Sequence, residues 1–89
     1  MNSNLDWKLK IRNGAYKNLE RIPLSDQNRL MAAIEQLPLN PFAGDIEKMK
    51  GEENMWRRRV GAYRIFYELK TGEKIIYVFK IERRASKTY

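Results

Sequence analysis

Two predicted β-hairpins in the C-terminal part of the chain, within the stretch Trp56–Tyr89, most constrain its fold. Gly61-Ala62 interrupts a run of alternating side chains, and glycine in the first place of a two-residue connection favours a type II′ turn. Thr71-Gly72 marks a second turn. The nearly continuous apolar segment after it is typical of a central strand that is covered on both faces. The predicted strands are Trp56–Val60, Tyr63–Lys70 and Ile75–Lys80, with residues 81–89 leaving the sheet at its edge.

The N-terminal half predicts one further strand and two helices. Alternation of apolar and basic side chains indicates a half-buried strand, and apolar side chains at helical spacing indicate the helices. The predicted elements are a strand at Asp6–Arg12, a helix at Ala15–Ile22 that Pro23 ends, and a helix from Asp26 to Leu37 with Ser25 as its N-cap. In the long irregular stretch that follows, Ile46–Lys50 is a candidate short strand.

These elements predict an α+β fold in which two N-terminal helices pack on an antiparallel-rich, four-stranded sheet in the order β-α-α-β-β-β. The length of 89 residues is that of one domain, so residues 1–89 are expected to form a single unit.

Composition excludes several classes of chemistry. The chain has no cysteine and no histidine, which rules out disulfides, thiolate metal sites and histidine bases, and no metal or cofactor is expected. No apolar run approaches the ~20 residues of a membrane span, and no signal-peptide pattern is present. We therefore expect a soluble, cytoplasmic protein that does not bind membranes.

The net charge of +7 and the isoelectric point near 9.9 favour a polyanionic partner. A basic surface that is merely well solvated is the alternative. The positions of the charges in the predicted sheet distinguish the two explanations.

The register of the first hairpin places several arginines on one face of the sheet. With Gly61-Ala62 as the turn, Arg59 lies opposite Arg64 and Arg57 lies opposite Phe66. Two opposed arginines repel each other by up to about 1 kcal/mol, so stability alone would not select this pairing. Guanidinium groups bind phosphate through two parallel hydrogen bonds, which makes this face a candidate anion site.

A two-residue turn at Thr71-Gly72 would extend this face, because it pairs Lys70 with Glu73 and Arg64 with Phe79. The side chains expected to join the arginine face are Tyr77, Phe79, Ile81 and Arg83, and the rings of Phe66, Tyr77 and Phe79 would offer stacking platforms to bases. The opposite face is expected to carry the helices, and its side chains are Trp56, Val60, Tyr63, Ile65, Tyr67, Leu69, Ile76 and Val78. Two alternatives remain open for the arginines, namely an acidic protein partner or neutralisation by Glu68, Glu73 or Glu82.

The block Arg57–Tyr67 (RRRVGAYRIFY), followed by I-E-R-R-x4-Y, resembles the RelE-type toxins of bacterial and archaeal toxin–antitoxin modules, and the likeness runs from Trp7 to Tyr89. The resemblance implies the RelE-like microbial ribonuclease fold and a metal-independent endoribonuclease. Such a toxin enters the ribosomal A site, cuts mRNA through attack of the ribose 2′-OH on the adjacent phosphate, and inhibits translation. The implied partners are the ribosome, mRNA and an acidic, RelB-like cognate antitoxin, with which the toxin forms a hetero-oligomer.

The resemblance also implies the site residues. It assigns catalysis to Arg57, Arg64, Arg83 and Tyr89, with Arg64 and Arg83 stabilising the phosphorane and Tyr89 stacking on a base or transferring a proton. The implied RNA-binding residues are Lys48, Lys50, Arg59, Arg84 and Lys87. Two positions depart from the family pattern, since Arg58 replaces an apolar residue and Glu82 stands where some relatives have histidine.

Three other functions remain open. A ParE-like toxin shares the fold but poisons DNA gyrase, where the set Arg57, Arg64, Arg83 and Tyr89 has no obvious use. A non-enzymatic RNA- or ribosome-binding module would use the same basic face. A degenerate toxin could also be kept as a co-repressor.

Overall fold

The structure is a computed structural model, and it describes residues 7–84. Its elements are β1 Lys8–Ile11, α1 Asn13–Glu20, α2 Leu24–Gln36, β2 Ile46–Lys48, β3 Met55–Val60, β4 Tyr63–Lys70 and β5 Ile75–Arg83. The sheet has the strand order β1-β5-β4-β3-β2, in which only β1 and β5 are parallel. The predicted α+β class is confirmed, but the sheet has five strands instead of four because β2 pairs with β3 at one edge.

Both helices begin earlier than the sequence pattern predicted. Helix α1 begins at Asn13 and α2 begins at Leu24. The predicted N-cap at Ser25 is wrong, because Pro23 occupies that position and the helix has no side-chain cap. The Pro23 carbonyl accepts hydrogen bonds from the backbone of Asp26 and Gln27, both at 2.9 Å. Proline suits this boundary because its fixed φ is compatible with the start of a helix and it cannot continue one from before. None of the helices in residues 7–84 is long and apolar enough to cross a membrane.

The helices pack on one face of the sheet, as predicted. The buried core is formed by Ala15, Leu19, Leu30, Ala33, Ile34, Leu37, Tyr63, Ile65, Tyr67, Leu69, Ile76, Val78 and Ile81. Trp56 and Val60, also predicted on this face, are half-buried against the core. Since burial of apolar surface is the main favourable contribution to folding, this arrangement leaves the other face of the sheet available for polar side chains.

The first hairpin has the predicted register and turn. Arg59 lies opposite Arg64, and Arg57 lies opposite Phe66. Gly61 has a φ of 59°, whereas Ala62 is not among the residues with positive φ. A positive φ at only the first central position is the pattern of a type II′ turn, and glycine adopts it without steric cost.

The second hairpin differs from the prediction at its turn. Lys70 pairs with Ile75, so the connection contains four residues and the predicted pairing of Lys70 with Glu73 is wrong. Lys74 completes this longer turn with a φ of 55°, and its backbone N–H donates to the Thr71 carbonyl at 3.3 Å. Lysine carries no special preference for this left-handed conformation, so the residue types did not indicate the longer turn.

A β-bulge in β5 then reverses the faces of the residues that follow it. Tyr67 pairs with Val78, but Phe66 pairs with Lys80, which leaves Phe79 as an extra residue. The predicted pairing of Arg64 with Phe79 is therefore wrong, and Arg64 lies opposite Glu82. Beyond the bulge, Lys80 and Glu82 join the face of Arg64, while Ile81 and Arg83 fall on the helix side. Ile81 is accordingly buried in the core, contrary to its predicted place on the arginine face.

Strand β5 also continues past Lys80, where the prediction ended it. Strand β1 ends before it reaches Ile81 and offers this residue no partner. The backbone N–H of Ile81 instead donates to Asn18 Oδ1 on α1 at 3.0 Å, which satisfies that buried donor. Further along, the backbone N–H of Arg84 donates to the Ala62 carbonyl at 2.7 Å. The first bond ties β5 to α1, and the second holds the residue after β5 beside the first hairpin turn.

Candidate functional site

An arginine-lined cleft opens on the sheet face that the helices do not cover. It has a volume of about 140 Å³, and we call it the arginine cleft. Strands β3 and β4 provide its floor, the segment that leads into β2 provides one wall, and the end of β5 provides the other. Its lining residues are Asp45, Glu47, Arg57, Arg59, Arg64 and Arg84.

Two carboxylates hold the arginines of β3. Arg57 donates to Glu47 Oε1 from Nη2 at 2.8 Å and from Nε at 3.2 Å. Arg59 donates to Asp45 Oδ2 from Nε at 2.9 Å. The two carboxylate side chains are 68% and 60% exposed, and such surface ion pairs each contribute only about 0–1 kcal/mol. A phosphate group can therefore bind the remaining N–H donors of these guanidinium groups without strong competition from the carboxylates.

The acidic partners of these arginines were not identified from the sequence. The carboxylates considered were Glu68, Glu73 and Glu82, whereas Asp45 and Glu47 make the close contacts. The sequence feature that pointed toward Glu47 was the candidate strand at Ile46–Lys50, which the structure confirms in shortened form as β2. Pairing of β2 with β3 places Glu47 directly opposite Arg57, but this pairing has no signature in the local residue pattern.

Arg64 and Arg84 are less well neutralised than the arginines of β3. Arg64 Nη1 lies 3.9 Å from Glu82 Oε2, and Glu82 also pairs with Lys80 at 2.9 Å. The Nε atom of Arg84 is buried and has no hydrogen-bond partner within the described residues. Four guanidinium groups against two carboxylates give the cleft lining a net charge of +2. Because no carboxylate of the described residues pairs with Arg84, an anion bound in the cleft would offset its charge.

The structure brings together Arg57, Arg59, Arg64 and Arg84, all of which were sequence candidates. Arg83 does not join them. It pairs with Tyr63, so it lies on the helix side of the sheet, and it is exposed at the strand end. The predicted placement of Arg83 on the arginine face is therefore wrong, because the bulge shifts the alternation by one residue.

The remaining sequence candidates lie beside the cleft or outside the described residues. Lys48 and Lys50 line an adjoining depression that shares Glu47 and Arg57 with the arginine cleft. Lys87 and Tyr89 fall outside residues 7–84, so the candidate roles of these two residues stay predictions.

The predicted stacking role of Phe66 is also wrong. Its side chain is only 6% exposed, because Lys80 Nζ lies 5.1 Å from the ring centroid and the Phe79 ring packs at a centroid distance of 6.2 Å. Tyr77 and Phe79 are half-buried and keep part of their surface accessible.

Arg58 has a structural role on the other side of the sheet. Its Nη1 atom donates to the Ala33 carbonyl on α2 at 3.4 Å, and its guanidinium group packs against Gly44. Burial raises the pKa of Tyr67 to about 12, and the nearby charge of Arg58 opposes this rise. The Tyr67 hydroxyl donates to the Pro41 carbonyl at 2.8 Å. Arg58 and Tyr67 thus fasten the loop before β2 to the sheet, and this loop carries Asp45 into the cleft.

The cleft combines four guanidinium groups with two carboxylates, the kind of group that can act as a proton acceptor. Arginine remains protonated in proteins, so its contribution is charge and hydrogen bonding. Preorganised donors of this kind stabilise negative charge that develops during a reaction. The arrangement suits a phosphate group whose charge increases in the transition state.

Comparison with known proteins gives a family for this fold and cleft. A family model described as the ParE toxin of the type II toxin–antitoxin system parDE matches residues 9–87. The putative toxin RelE1 of Methanocaldococcus jannaschii is 30% identical over 83 residues, which cover 90% of this chain and 92% of the relative. Toxin RelE3 of the same organism is 35% identical over 77 residues, which cover 82% and 86% of the two chains.

Solved structures show the same fold. The archaeal RelE–RelB complex from Pyrococcus horikoshii matches with a TM-score of 0.81 at 24% identity, over 92% of this chain and 99% of that one. The RelB–RelE antitoxin–toxin complex from Methanococcus jannaschii matches with a TM-score of 0.70 at 28% identity, over 83% and 88% of the two chains.

The small α+β fold with helices on one sheet face is therefore that of the RelE toxins in these complexes. Both the family model and the curated relatives span most of the chain. The chain belongs to the RelE/ParE superfamily and is a type II toxin of the RelE family.

Proposed function

We propose that this toxin is a ribosome-dependent endoribonuclease that cuts mRNA in the ribosomal A site and thereby inhibits translation. The observation that carries the proposal is the arginine cleft, which four guanidinium groups line and in which Arg57 and Arg59 are paired only with exposed carboxylates. A cleft with this lining suits a phosphodiester, because each planar guanidinium group can donate two parallel hydrogen bonds to its non-bridging oxygens.

In the proposed reaction, the ribose 2′-oxygen attacks the adjacent phosphorus. A bond forms between the 2′-oxygen and phosphorus while the bond from phosphorus to the 5′-oxygen breaks. The 2′-OH gives up one proton and the departing 5′-oxygen takes one up, so the products are a cyclic phosphate and a free 5′-OH, and no water is consumed. Arg57, Arg64 and Arg84 would surround the phosphorane and stabilise its additional charge, which is the contribution that usually dominates such catalysis.

The proton of the 2′-OH needs an acceptor, and arginine, as a residue type that stays protonated in proteins, does not provide one. The Glu47 carboxylate, held 2.8 Å from Arg57 Nη2, is the acceptor that the cleft geometry favours. Arg57 would then orient this carboxylate and contact phosphate. Tyr89 would stack on a base or transfer a proton, as the family resemblance implies, whereas Arg83 lies on the helix side of the sheet and is given no part in the reaction.

We also propose a cognate antitoxin as the partner. The similar structures from P. horikoshii and M. jannaschii are complexes of RelE with RelB. The net charge of +7 favours an acidic, RelB-like protein. An acidic segment laid over the arginine cleft would compete with RNA phosphate and neutralise the toxin.

A second candidate is poisoning of DNA gyrase, which the ParE description of the matching family model favours. The two functions differ in what they require of the cleft. Phosphodiester cleavage needs its arginines to contact the reacting phosphate, whereas inhibition of gyrase requires no such reaction.

Arg64→Ala tests the proposal in programmed ribosomes that carry a labelled mRNA. The wild-type toxin is expected to cut the A-site codon and leave a cyclic phosphate, and Arg64→Ala is expected to lose about 10²–10³-fold in rate. Arg21→Ala is the matched control, because Arg21 is exposed just after α1 on the helix side. Uncut mRNA with wild-type toxin, together with loss of gyrase supercoiling activity, would instead establish the gyrase function.

A further inference from the structure

Outside the arginine cleft, the same sheet face carries a second basic region at the opposite end of the strands. Its members are Lys8 and Lys10 on β1, Lys70 on β4 and Tyr77 on β5, and we call them the lysine–tyrosine strip. The strand register places them together, because Lys10 lies beside Tyr77 and Lys8 lies beside Ile75, which in turn pairs with Lys70.

The lysines of the strip differ from the arginines of the cleft in their electrostatic surroundings. All three are exposed, and none forms an ion pair with a carboxylate in the part of the chain that the structure describes. Lys70 Nζ instead lies 5.7 Å from the centroid of the Tyr77 ring. Glu68 lies opposite Tyr77, and Glu68 and Glu73 line one depression with Lys70, so the three lysines leave the strip with an excess of one positive charge over its two acidic neighbours.

The cleft and the strip are joined along β5. Lys80, exposed and on the arginine face, lies between them, and Tyr77 and Phe79 are half-buried along the same path. Arg64 and Glu68 are four residues apart on β4, which corresponds to about 13 Å along a strand. A few nucleotides of extended RNA would span this distance. Basic side chains interleaved with aromatic rings are typical of surfaces that follow a single strand.

We propose that the lysine–tyrosine strip binds the backbone of the same RNA strand whose phosphate occupies the arginine cleft, a few nucleotides away from the cut, with Tyr77 offering a ring to a base. This inference deepens the proposed function and rests on it for the identity of the RNA as mRNA. Single-stranded RNA is the occupant that the strip favours, because its phosphates complement unpaired lysines and its unstacked bases complement an accessible ring.

The test compares binding of 2′-O-methyl oligonucleotides, which cannot undergo cleavage, to the wild-type toxin and to Lys10→Gln/Lys70→Gln. A long oligonucleotide of about ten nucleotides can reach from cleft to strip, whereas a short one of about three nucleotides fills the cleft alone. Lys17→Gln/Arg21→Gln is the matched control, since it removes the same charge from exposed positions on and just after α1.

The strip variant is expected to bind the long oligonucleotide about tenfold more weakly and the short one almost unchanged, with the control variant within about threefold of wild type. Loss of two phosphate contacts should also reduce the slope of log affinity against log salt by about 1.4. Equal losses in the two variants, or no preference of the wild type for the longer strand, would overturn the proposal.

Weaker binding of the strip variant to ribosomes, with unchanged binding to the long oligonucleotide, would also overturn the proposal and make ribosomal RNA the occupant. The binding assay does not depend on cleavage. A toxin that fails to cut mRNA but binds the longer strand more tightly through Lys10 and Lys70 would therefore refute the proposed function and still support RNA binding by the lysine–tyrosine strip.

Discussion

Substitution of the two consecutive arginines at the end of β5 distinguishes the structural placement of the site from the placement that the sequence predicted. Arg84 lines the arginine cleft, whereas Arg83 pairs with Tyr63 on the helix side. We expect Arg84→Ala to abolish most mRNA cleavage and Arg83→Ala to change it by less than about threefold, in line with the small effects of most surface substitutions. The two variants lose the same side chain and the same charge one residue apart, so each is the control for the other.

The expected size of the effect follows from the surroundings of Arg84. Arg84 lines the cleft, which places its guanidinium group beside a phosphate bound there, where it can donate to a developing phosphorane. Loss of one preorganised donor to such a charge costs about 3–4 kcal/mol, or about 10²–10³-fold in rate. The fold should survive, because the hydrogen bond from the Arg84 backbone to the Ala62 carbonyl does not involve the side chain.

Single-turnover cleavage of A-site mRNA in programmed ribosomes measures the rate, and urea denaturation of each variant checks that it folds. Retention of full activity by Arg84→Ala, with normal ribosome binding, would refute the assignment. A loss in Arg83→Ala as large as that in Arg84→Ala would show that the bulge does not decide which arginine serves the reaction, and would support the role that the family resemblance implies for Arg83.

Two further predictions concern the loop that carries Asp45 into the cleft. Gly44 has a φ of +89°, and a Cβ there would lie 2.7 Å from Arg58 Nε, whereas Gly51 has a φ of +81° and nothing within 4 Å of its added Cβ. Gly44→Ala should therefore lower the free energy of unfolding by about 1–3 kcal/mol more than the control Gly51→Ala. Equal losses in urea denaturation would exclude the steric contact. Burial raises the pKa of Tyr67 to about 12, above the value of about 10 in the unfolded chain. Below about pH 10 the tyrosine is protonated in both states and adds no pH dependence to the free energy of unfolding. Between about pH 10 and pH 12 only the unfolded state loses the proton, so the free energy of unfolding falls by about 1.4 kcal/mol per pH unit. Tyr67→Phe should lack this additional decline, and identical pH profiles for the two proteins would contradict the prediction.

The first hairpin could be predicted from sequence because its turn residue determines the register. Gly61 adopts a positive φ that few other residues tolerate, so the position of the turn is visible in the sequence. Every pairing from Val60 to Arg57 then follows from the alternation of a strand. The apolar face was predictable for the same reason, and strand alternation alone was enough to place Arg57, Arg59 and Arg64 together.

The second hairpin could not be predicted in the same way, because its decisive features lack a residue signature. Its turn depends on a left-handed lysine, Lys74, and its register changes at Phe79, an aromatic residue that is equally suited to a regular strand. The long-range partners of the cleft were invisible for a different reason. Asp45 and Glu47 reach the arginines only because β2 pairs with β3, and no local pattern indicates that pairing.

The bulge explains how a sequence with two adjacent arginines can place a single one in the site. A strand presents successive side chains to opposite faces, so either Arg83 or Arg84 must point away from Arg64. Without the bulge, the alternation that places Tyr77 on the outer face would also place Arg83 there. The extra residue at Phe79 instead turns Ile81 into the core, where it is 3% exposed, and the Asn18 side chain secures its backbone. Burial of Ile81 thus stabilises the register that delivers Arg84 to the cleft, so packing on the helix side and the chemistry of the opposite face depend on the same one-residue shift.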